Sequence, residues 1–328
     1  MLKTIYAAFI LLSFGSLAAF AQTTPTMTPA PTMTPAPNLE TILTEAQKQS
    51  EAYRESFRNL LAEETKTFEE FGKTGDVEET TVVKSNFLVY QSGKNEKVTT
   101  ELRNVTEVNG KLVPNSQQRS NDFLGELGKE KTYEKELQKI QNEGSKYDKT
   151  IEVYGFTLNE AVVLNPKIRP FFDFKILGTE NYQGSEVYAV SYQQTKKSPY
   201  VLVNEKPTAA EAPSFDFKID IPGALKNADK FVRGKLWIDA KTFQIWREEQ
   251  ELVVQSPEPL VVLSSNLEYQ SSDYGLLVPK RIFVTFYELK KQKGGSRFTS
   301  VKDTSVNFDY SKFRQTNVEV QILDDVED

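Results

Sequence analysis

The spacing of hydrophobic positions changes near residue 62. Between residues 39 and 62 the apolar side chains recur every three, four or seven positions, which places them on one stripe of a helix. The residues on this stripe are Leu39, Ile42, Leu43, Ala46, Tyr53, Phe57, Leu60 and Leu61. Asn38 stands where a helix-capping side chain is expected. The pattern predicts an N-terminal amphipathic helix over about residues 39–62.

Alternating apolar and polar positions dominate the rest of the chain. Residues 65–71 could extend the helix or begin a strand, and the turn residues at 72–76 favour a strand. Thr- and Val-rich segments at 77–90 and 97–108 follow, and Asn109-Gly110 is a strong hairpin signal. From residue 151 onward the pattern predicts strands almost to the end, about ten to twelve in total.

Short connections between so many strands favour one large antiparallel sheet over βαβ units. A sheet of this size must curl, close or be covered. We therefore predict a mainly β fold with helices (α+β), in which the helix at 39–62 covers one face of a large curved antiparallel sheet.

Residues 121–149 interrupt the strand pattern. Glu and Lys crowd this segment, and its few apolar residues form a thin stripe. The composition predicts a charged, largely solvated helix inserted between strands. Acidic and basic residues nearly balance here, which argues against binding nucleic acid, because attraction to phosphates needs a net basic face.

The N-terminus has the three parts of a secretory signal peptide. A positive start is followed by a short apolar run and an A-x-A site, which predicts residues 1–21 as the signal and cleavage between Ala21 and Gln22. Residues 22–38 are a Pro/Thr-rich linker, residues 39–323 a single β domain, and residues 324–328 an acidic tail. No later stretch has the length and apolarity of a membrane span. We expect a soluble protein of the periplasm or the medium, from a Gram-negative bacterium, and not an integral membrane protein.

The composition excludes several kinds of chemistry. The chain has no Cys and no His, and 46 Asp+Glu against 40 Lys+Arg give a net charge of -6. Thiolate and imidazole catalysis and Cys- or His-based metal sites are therefore excluded. Adjacent carboxylates such as Glu248-Glu249 point to opposite faces of a strand and do not converge on one substrate. We predict no catalytic residues, no metal and no cofactor, with a carboxylate-based hydrolase as a remote alternative.

Four stretches share a layout with one group of secreted proteins. They are FKILG at 174–178 with YQGSEVY at 182–188, GKLWID at 234–239 with Thr242, Ile245 and Arg247, LVPK at 277–280, and YSKFR at 310–314. Over residues 170–322 the chain resembles the periplasmic lipoprotein-carrier superfamily, which includes LolA-like, LolB-like and RseB-like proteins. The resemblance implies a half-barrel that holds acyl chains or a related hydrophobic ligand, or that serves as a sensing module.

Alternation also predicts which side chains face the interior. The candidate lining residues are Phe172, Phe174, Ile176, Leu236, Ile238, Ile282, Val284 and Phe286. They could line a cavity for an apolar ligand or form an ordinary packed core, and the sequence does not separate the two.

Two functions follow from these features. The first is a non-catalytic binding protein that holds a lipid or a lipoprotein acyl chain in a half-barrel cavity, in the manner of a carrier. The alternative is a cell-envelope interaction or sensing module with a packed core, no small-molecule ligand and a protein partner.

Overall fold

A single α-helix precedes the sheet in the described part of the chain. The computed structural model describes residues 37–56, 60–92, 98–116, 118, 142, 144–147, 161–204, 215–275 and 277–315. The helix, α1, spans Leu39–Ser56. Asn38 caps it, because its Oδ1 accepts a hydrogen bond of 2.9 Å from the amide of Thr41.

The predicted extent of this helix, to about residue 62, is wrong. Leu60 and Leu61 belong to the first strand, where they pair with Val89 and Leu88. From Leu60 to Phe68 every second side chain is buried, which is the period of a strand and not of a helix. The turn at 72–76 is therefore entered by a strand, as expected.

Apart from single helical residues at 116, 118, 142, 144 and 145, the remaining described elements are strands and three short 3₁₀ turns. The turns are Val162–Leu164, Arg169–Phe171 and Gly223–Leu225. The strands, in chain order, are β1 (Leu60–Phe71), β2 (Val77–Ser92), β3 (Val98–Val108), β4 (Lys111–Leu112), β5 (Phe172–Tyr182), β6 (Ser185–Gln194), β7 (Val201–Val203), β8 (Phe215–Phe217), β9 (Lys230–Asp239), β10 (Ile245–Val254), β11 (Leu260–Ser271), β12 (Leu277–Lys291) and β13 (Phe298–Gln315).

Eleven of these strands form one open sheet. Its order is β4-β3-β2-β1-β13-β12-β11-β10-β9-β6-β5, and each neighbouring pair is antiparallel. The pairing of β1 with β13 joins the two ends of the β region in the middle of the sheet. Strands β7 and β8 form a separate parallel pair. The predicted large antiparallel sheet is confirmed, with β4 and β5 at its edges.

The two faces of the sheet differ in character. The inner face is the one on which α1 packs, where the rings of Tyr53 and Tyr269 meet edge to face with centroids 6.0 Å apart. It carries most of the buried apolar side chains, in a single cluster that also takes in Ile42 and Ala46 of α1. Burial of apolar surface, at about 25 cal/mol per Å², is therefore what holds the helix against the sheet.

Some sequence predictions fall outside the described residues. The signal peptide, nearly all of the linker and the acidic tail do so, and they stay predictions. Of the charged insertion at 121–149, only residues 142 and 144–147 are described, so the predicted inserted helix is not shown. Within the described part of the chain, no helix is both long enough and apolar enough to cross a membrane.

Candidate functional site

The predicted lining residues share the inner face of the sheet. Phe172, Phe174 and Ile176 lie on β5, Leu236 and Ile238 on β9, and the remaining three on β12. Strand register connects them across the sheet. One row of paired residues runs Ile176, Val190, Leu236, Glu248, Leu267 and Ile282.

These residues divide into two groups by exposure. Leu236, Ile238 and Val284 have no exposed surface, Ile282 is 2% exposed and Phe172 is 6% exposed. The other three, Phe174, Ile176 and Phe286, are half-buried and pack against the core. The first group is packed core in this structure, so a ligand would reach it only after neighbouring groups move. The second group has accessible surface already.

A buried carboxylate interrupts the apolar inner face at Glu248. Its side chain is 3% exposed and lies between Leu236 and Leu267 in the row described above. Burial raises the pKa of Glu248 from its usual value of 4.5 to about 7, although hydrogen bonds from Tyr192 and Ala161 oppose this shift. Glu248 is thus a neutral acid over part of the physiological range.

Two donors hold Glu248 in place. The hydroxyl of Tyr192 donates to Oε1 over 2.9 Å, and the backbone amide of Ala161 donates to Oε2 over 3.1 Å. The Tyr192 oxygen also lies 3.3 Å from the carbonyl oxygen of Glu249. When Glu248 is protonated, the Tyr192 hydroxyl can accept a hydrogen bond from the carboxyl O–H and donate its own hydrogen to that carbonyl. Both protonation states therefore have complete hydrogen bonding.

Part of this site could be predicted from the sequence. Adjacent carboxylates were expected on opposite faces, and they are: Glu249 lies on the outer face, where its Oε1 is 2.5 Å from Nη2 of Arg247. Sequence reasoning did not identify Glu248 as a buried group. The available clue was its place in the alternation of β10, between the buried residues Trp246 and Gln250.

A second buried polar group lies on the inner face, on β1 and β3. Nε of Arg103 is 2.8 Å and 2.9 Å from the two carboxylate oxygens of Glu64, and Nη2 is 3.0 Å from Glu101. Burial alone would raise the pKa of Glu64, but the charges of Arg103 and Lys66 outweigh it and the pKa is lowered. Burial raises the pKa of Glu101. The sequence did not reveal this group either, because its members come from two strands.

This ionic group is balanced within itself. Two carboxylates face one guanidinium and one ammonium, and Arg103 also lies over the ring of Phe87 at 4.9 Å from its centroid. A buried cluster that contains its own counter-charges does not require a charged ligand. We read it as a structural element of the sheet.

A groove of about 920 Å³ lies on the opposite, outer face of the sheet. It crosses β5, β6, β9, β10, β11 and β12, and most of its walls are polar side chains. Those that point to the outer face are Asp173, Lys175, Ser191, Gln193, Arg233, Lys235, Glu249, Glu251, Ser264, Asn266 and Phe283. The sequence did not predict this groove.

Beside the groove, two cationic side chains pack on the ring of Trp237. The ring is 5% exposed, with Nζ of Lys235 4.0 Å and the guanidinium of Arg247 4.7 Å from its centroid. Its Nε1 donates to Glu180 over 2.9 Å. These contacts fix the positions of Lys235 and Arg247 on the outer face. Within the described residues, no three acidic side chains gather into a group that could hold a metal ion.

Comparisons with solved structures return, among others, a protein of the LolA superfamily, the group that the sequence resembles. An outer membrane lipoprotein-sorting protein domain from Vibrio parahaemolyticus aligns over 86% of this chain and 95% of its own, at 11% identity and a TM-score of 0.35. A LolA superfamily protein from Nitrosomonas europaea aligns over 88% and 99%, at 11% identity and 0.28. The lipoprotein LppX from Mycobacterium tuberculosis aligns over 86% and 100%, at 10% identity and 0.26.

No family model matches the chain, and no curated protein matches it.

Proposed function

We propose that this protein is a non-catalytic binding protein of the cell envelope that holds an apolar ligand, a lipid or an acyl chain, on the inner face of its sheet. The observation that carries the proposal is the half-buried surface of Phe174 and Ile176 on β5, an edge strand of the sheet. They adjoin an apolar row that passes through Val190 to Leu236, beyond which Glu248 interrupts it.

The β5 edge is rich in aromatic rings. Phe174 lies 6.2 Å from Tyr192, and Phe172 lies 6.0 Å from both Tyr192 and Phe215, measured between ring centroids. Such rings offer large apolar surfaces, and their side chains lose little conformational entropy when a ligand binds. An acyl chain laid against them would gain about 0.8 kcal/mol for each CH₂ group buried.

Deeper insertion requires movement. Leu236 and Val284 have no exposed surface, so a chain that passes Phe174 must displace packed groups. Binding would then be a shift between a closed form, as seen here, and a form opened beside β5. Secretion by way of the predicted signal peptide would place this activity in the periplasm or the medium.

Binding of a dansylated fatty acid to the chain from residue 22 tests the proposal. The informative variant is Ile176→Asn, and Leu177→Asn is its matched control, because Leu177 is the next residue, is 54% exposed and is not among the core contacts. We expect probe affinity to fall about tenfold in the first variant, which corresponds to a loss of about 1.4 kcal/mol of binding free energy. In the second variant we expect the affinity to be unchanged.

Native mass spectrometry with organic extraction supplies the ligand class. A discrete extra mass that extracts as a lipid from the purified protein supports the proposal. An apo mass together with no uptake of the probe would overturn it.

The alternative function is an envelope interaction module. The complete burial of Leu236, Ile238 and Val284 favours it, since those residues behave as an ordinary core. Crosslinking in the envelope would then capture a protein partner, and no lipid would accompany the purified chain.

A further inference from the structure

The outer groove combines opposite charges in equal number. Its acidic side chains are Asp173, Glu249 and Glu251, and its basic ones are Lys175, Arg233 and Lys235. A polyanion or a polycation would meet as much repulsion as attraction here. The groove therefore suits a ligand without net charge.

Contacts among the wall residues, and contacts from Arg247 beside the groove, hold several polar groups in position. Nε of Arg233 donates to Oε2 of Glu251 over 2.7 Å. Arg247 donates to Oδ1 of Asn266 over 3.1 Å and to Oε1 of Glu249 over 2.5 Å. Each contact uses one oxygen of the carboxylate or amide, so the second polar atom of that group can bind a ligand. Side chains that are already positioned lose less entropy when a ligand binds.

The groove lies on the face of the sheet and not along its edge. Strands β6, β9, β10 and β11 each pair on both sides, so their main-chain groups are occupied. A peptide could not add to the sheet as a further strand at this place. Recognition must come from side chains alone.

Phe283 gives the groove an apolar contact. It is 36% exposed and lies at the β12 end, directly paired with Asn266 of β11. An exposed ring next to amides and carboxylates fits a ligand that has an apolar flat face and polar edges. A row of hydroxyl groups, each able to donate and accept, would match the mixed donors and acceptors of the walls.

We propose that the outer groove binds a saccharide chain without net charge. Its side chains span six neighbouring strands, which at about 4.8 Å per step gives a length of roughly 24 Å. That length accommodates several sugar units in an extended chain. Most of its lining side chains point away from the proposed apolar ligand, although Phe174 and Tyr192 also border the groove, and the variants that test the two proposals are at different residues.

The test is isothermal titration of the chain from residue 22 with cellohexaose and with chitohexaose. Phe283→Ala and Asn266→Ala remove the apolar and the amide contact. Asn307→Ala is the matched control, because Asn307 pairs with Phe283 on the outer face but lies one strand beyond the groove. We expect at least one saccharide to bind, about tenfold more weakly in the two groove variants and unchanged in the control.

Three results would overturn the proposal. They are no binding of either saccharide, binding that the groove variants leave unchanged, and binding of an alternating Glu-Lys peptide in place of the saccharides. Circular dichroism of each variant separates loss of binding from loss of folding. A saccharide affinity that is the same at low and high salt would agree with an uncharged ligand.

Discussion

Gly234 lies directly opposite Tyr192 in the pairing of β6 with β9, and the tyrosine ring occupies the space that a side chain at residue 234 would need. A Cβ atom on Gly234 would lie 2.4 Å from the Tyr192 hydroxyl oxygen and 2.1 Å from the carbonyl oxygen of Glu249. The glycine is what allows Tyr192 to reach Glu248.

Gly234→Ala should therefore destabilise the protein. Overpacking of a filled interior costs about 1–3 kcal/mol, and the displaced Tyr192 would also lose its hydrogen bond to Glu248. Urea unfolding measures the effect. Gly223→Ala serves as the control, since a Cβ there meets no atom within 4 Å, and its free energy of unfolding should stay within about 0.5 kcal/mol of the parent.

The buried Glu248 should make stability depend on pH. Its pKa in the folded state is about 7, above the usual 4.5, so between these values the unfolded chain loses a proton that the folded chain keeps. The free energy of unfolding attributable to Glu248 is therefore highest below about pH 4.5 and falls as pH rises to about 7, by about 3 kcal/mol. Thermal unfolding across pH 4–8 measures this slope.

Glu248→Gln removes the titration and should flatten the slope. Glu249→Gln is the neighbouring control on the outer face and should retain it. An unchanged slope in the Glu248 variant would show that this carboxyl does not titrate as the structure indicates.

The pair formed by Arg103 and Glu64 should be costly to break. Arg103→Met leaves the carboxylates of Glu64 and Glu101 in a buried setting without their guanidinium, and we expect a loss of about 3–5 kcal/mol. Arg281→Met is the control, because Arg281 pairs with Asp309 over 2.8 Å at an exposed position and such pairs contribute about 0–1 kcal/mol. Equal losses in the two variants would contradict a buried role for Arg103.

Asp239 stabilises the β9–β10 turn by accepting hydrogen bonds. Its Oδ1 accepts from the amides of Lys241 and Thr242 over 2.9 Å and 2.8 Å, and its Oδ2 accepts from Nε1 of the buried Trp246 over 3.1 Å. Asp239→Ala leaves the indole donor without this partner, and we expect denaturant unfolding to report a loss of about 1–3 kcal/mol.

Asp229→Ala provides the comparison for Asp239. Asp229 is exposed in a loop, and its replacement should change stability by less than about 0.5 kcal/mol. A similar small change for Asp239→Ala would mean that the turn holds its shape without the carboxylate.

The local spacing of hydrophobic residues was not sufficient to predict where α1 ends. Leu60 and Leu61 fit the helical stripe that begins at Leu39, and they also fit the alternation that continues to Phe68. Pairing decided between the two, because Leu60 gains ladder partners in both Val89 and Gln315. Those partners are distant in sequence, so the local pattern of hydrophobic residues contains no information about them.

The buried polar groups could not be predicted from the sequence for a similar reason. Arg103 and Glu64 are 39 residues apart, and the Ala161 amide is 87 residues from Glu248. In the sequence, Arg103, Glu64 and Glu248 each resemble an ordinary surface charge. Only the register of the strands shows that their side chains meet inside.

The sequence by itself determined the N-terminal helix, the large antiparallel sheet and the face to which the predicted lining residues belong. Those features follow from periods of 3.6 and 2.0 residues, which are local properties of the chain. The tertiary structure alone decided that β1 pairs with β13, that Leu236 and Val284 are packed, and that a polar groove crosses the outer face. These depend on which strands become neighbours and in what register, and that is fixed by contacts between residues far apart in the sequence.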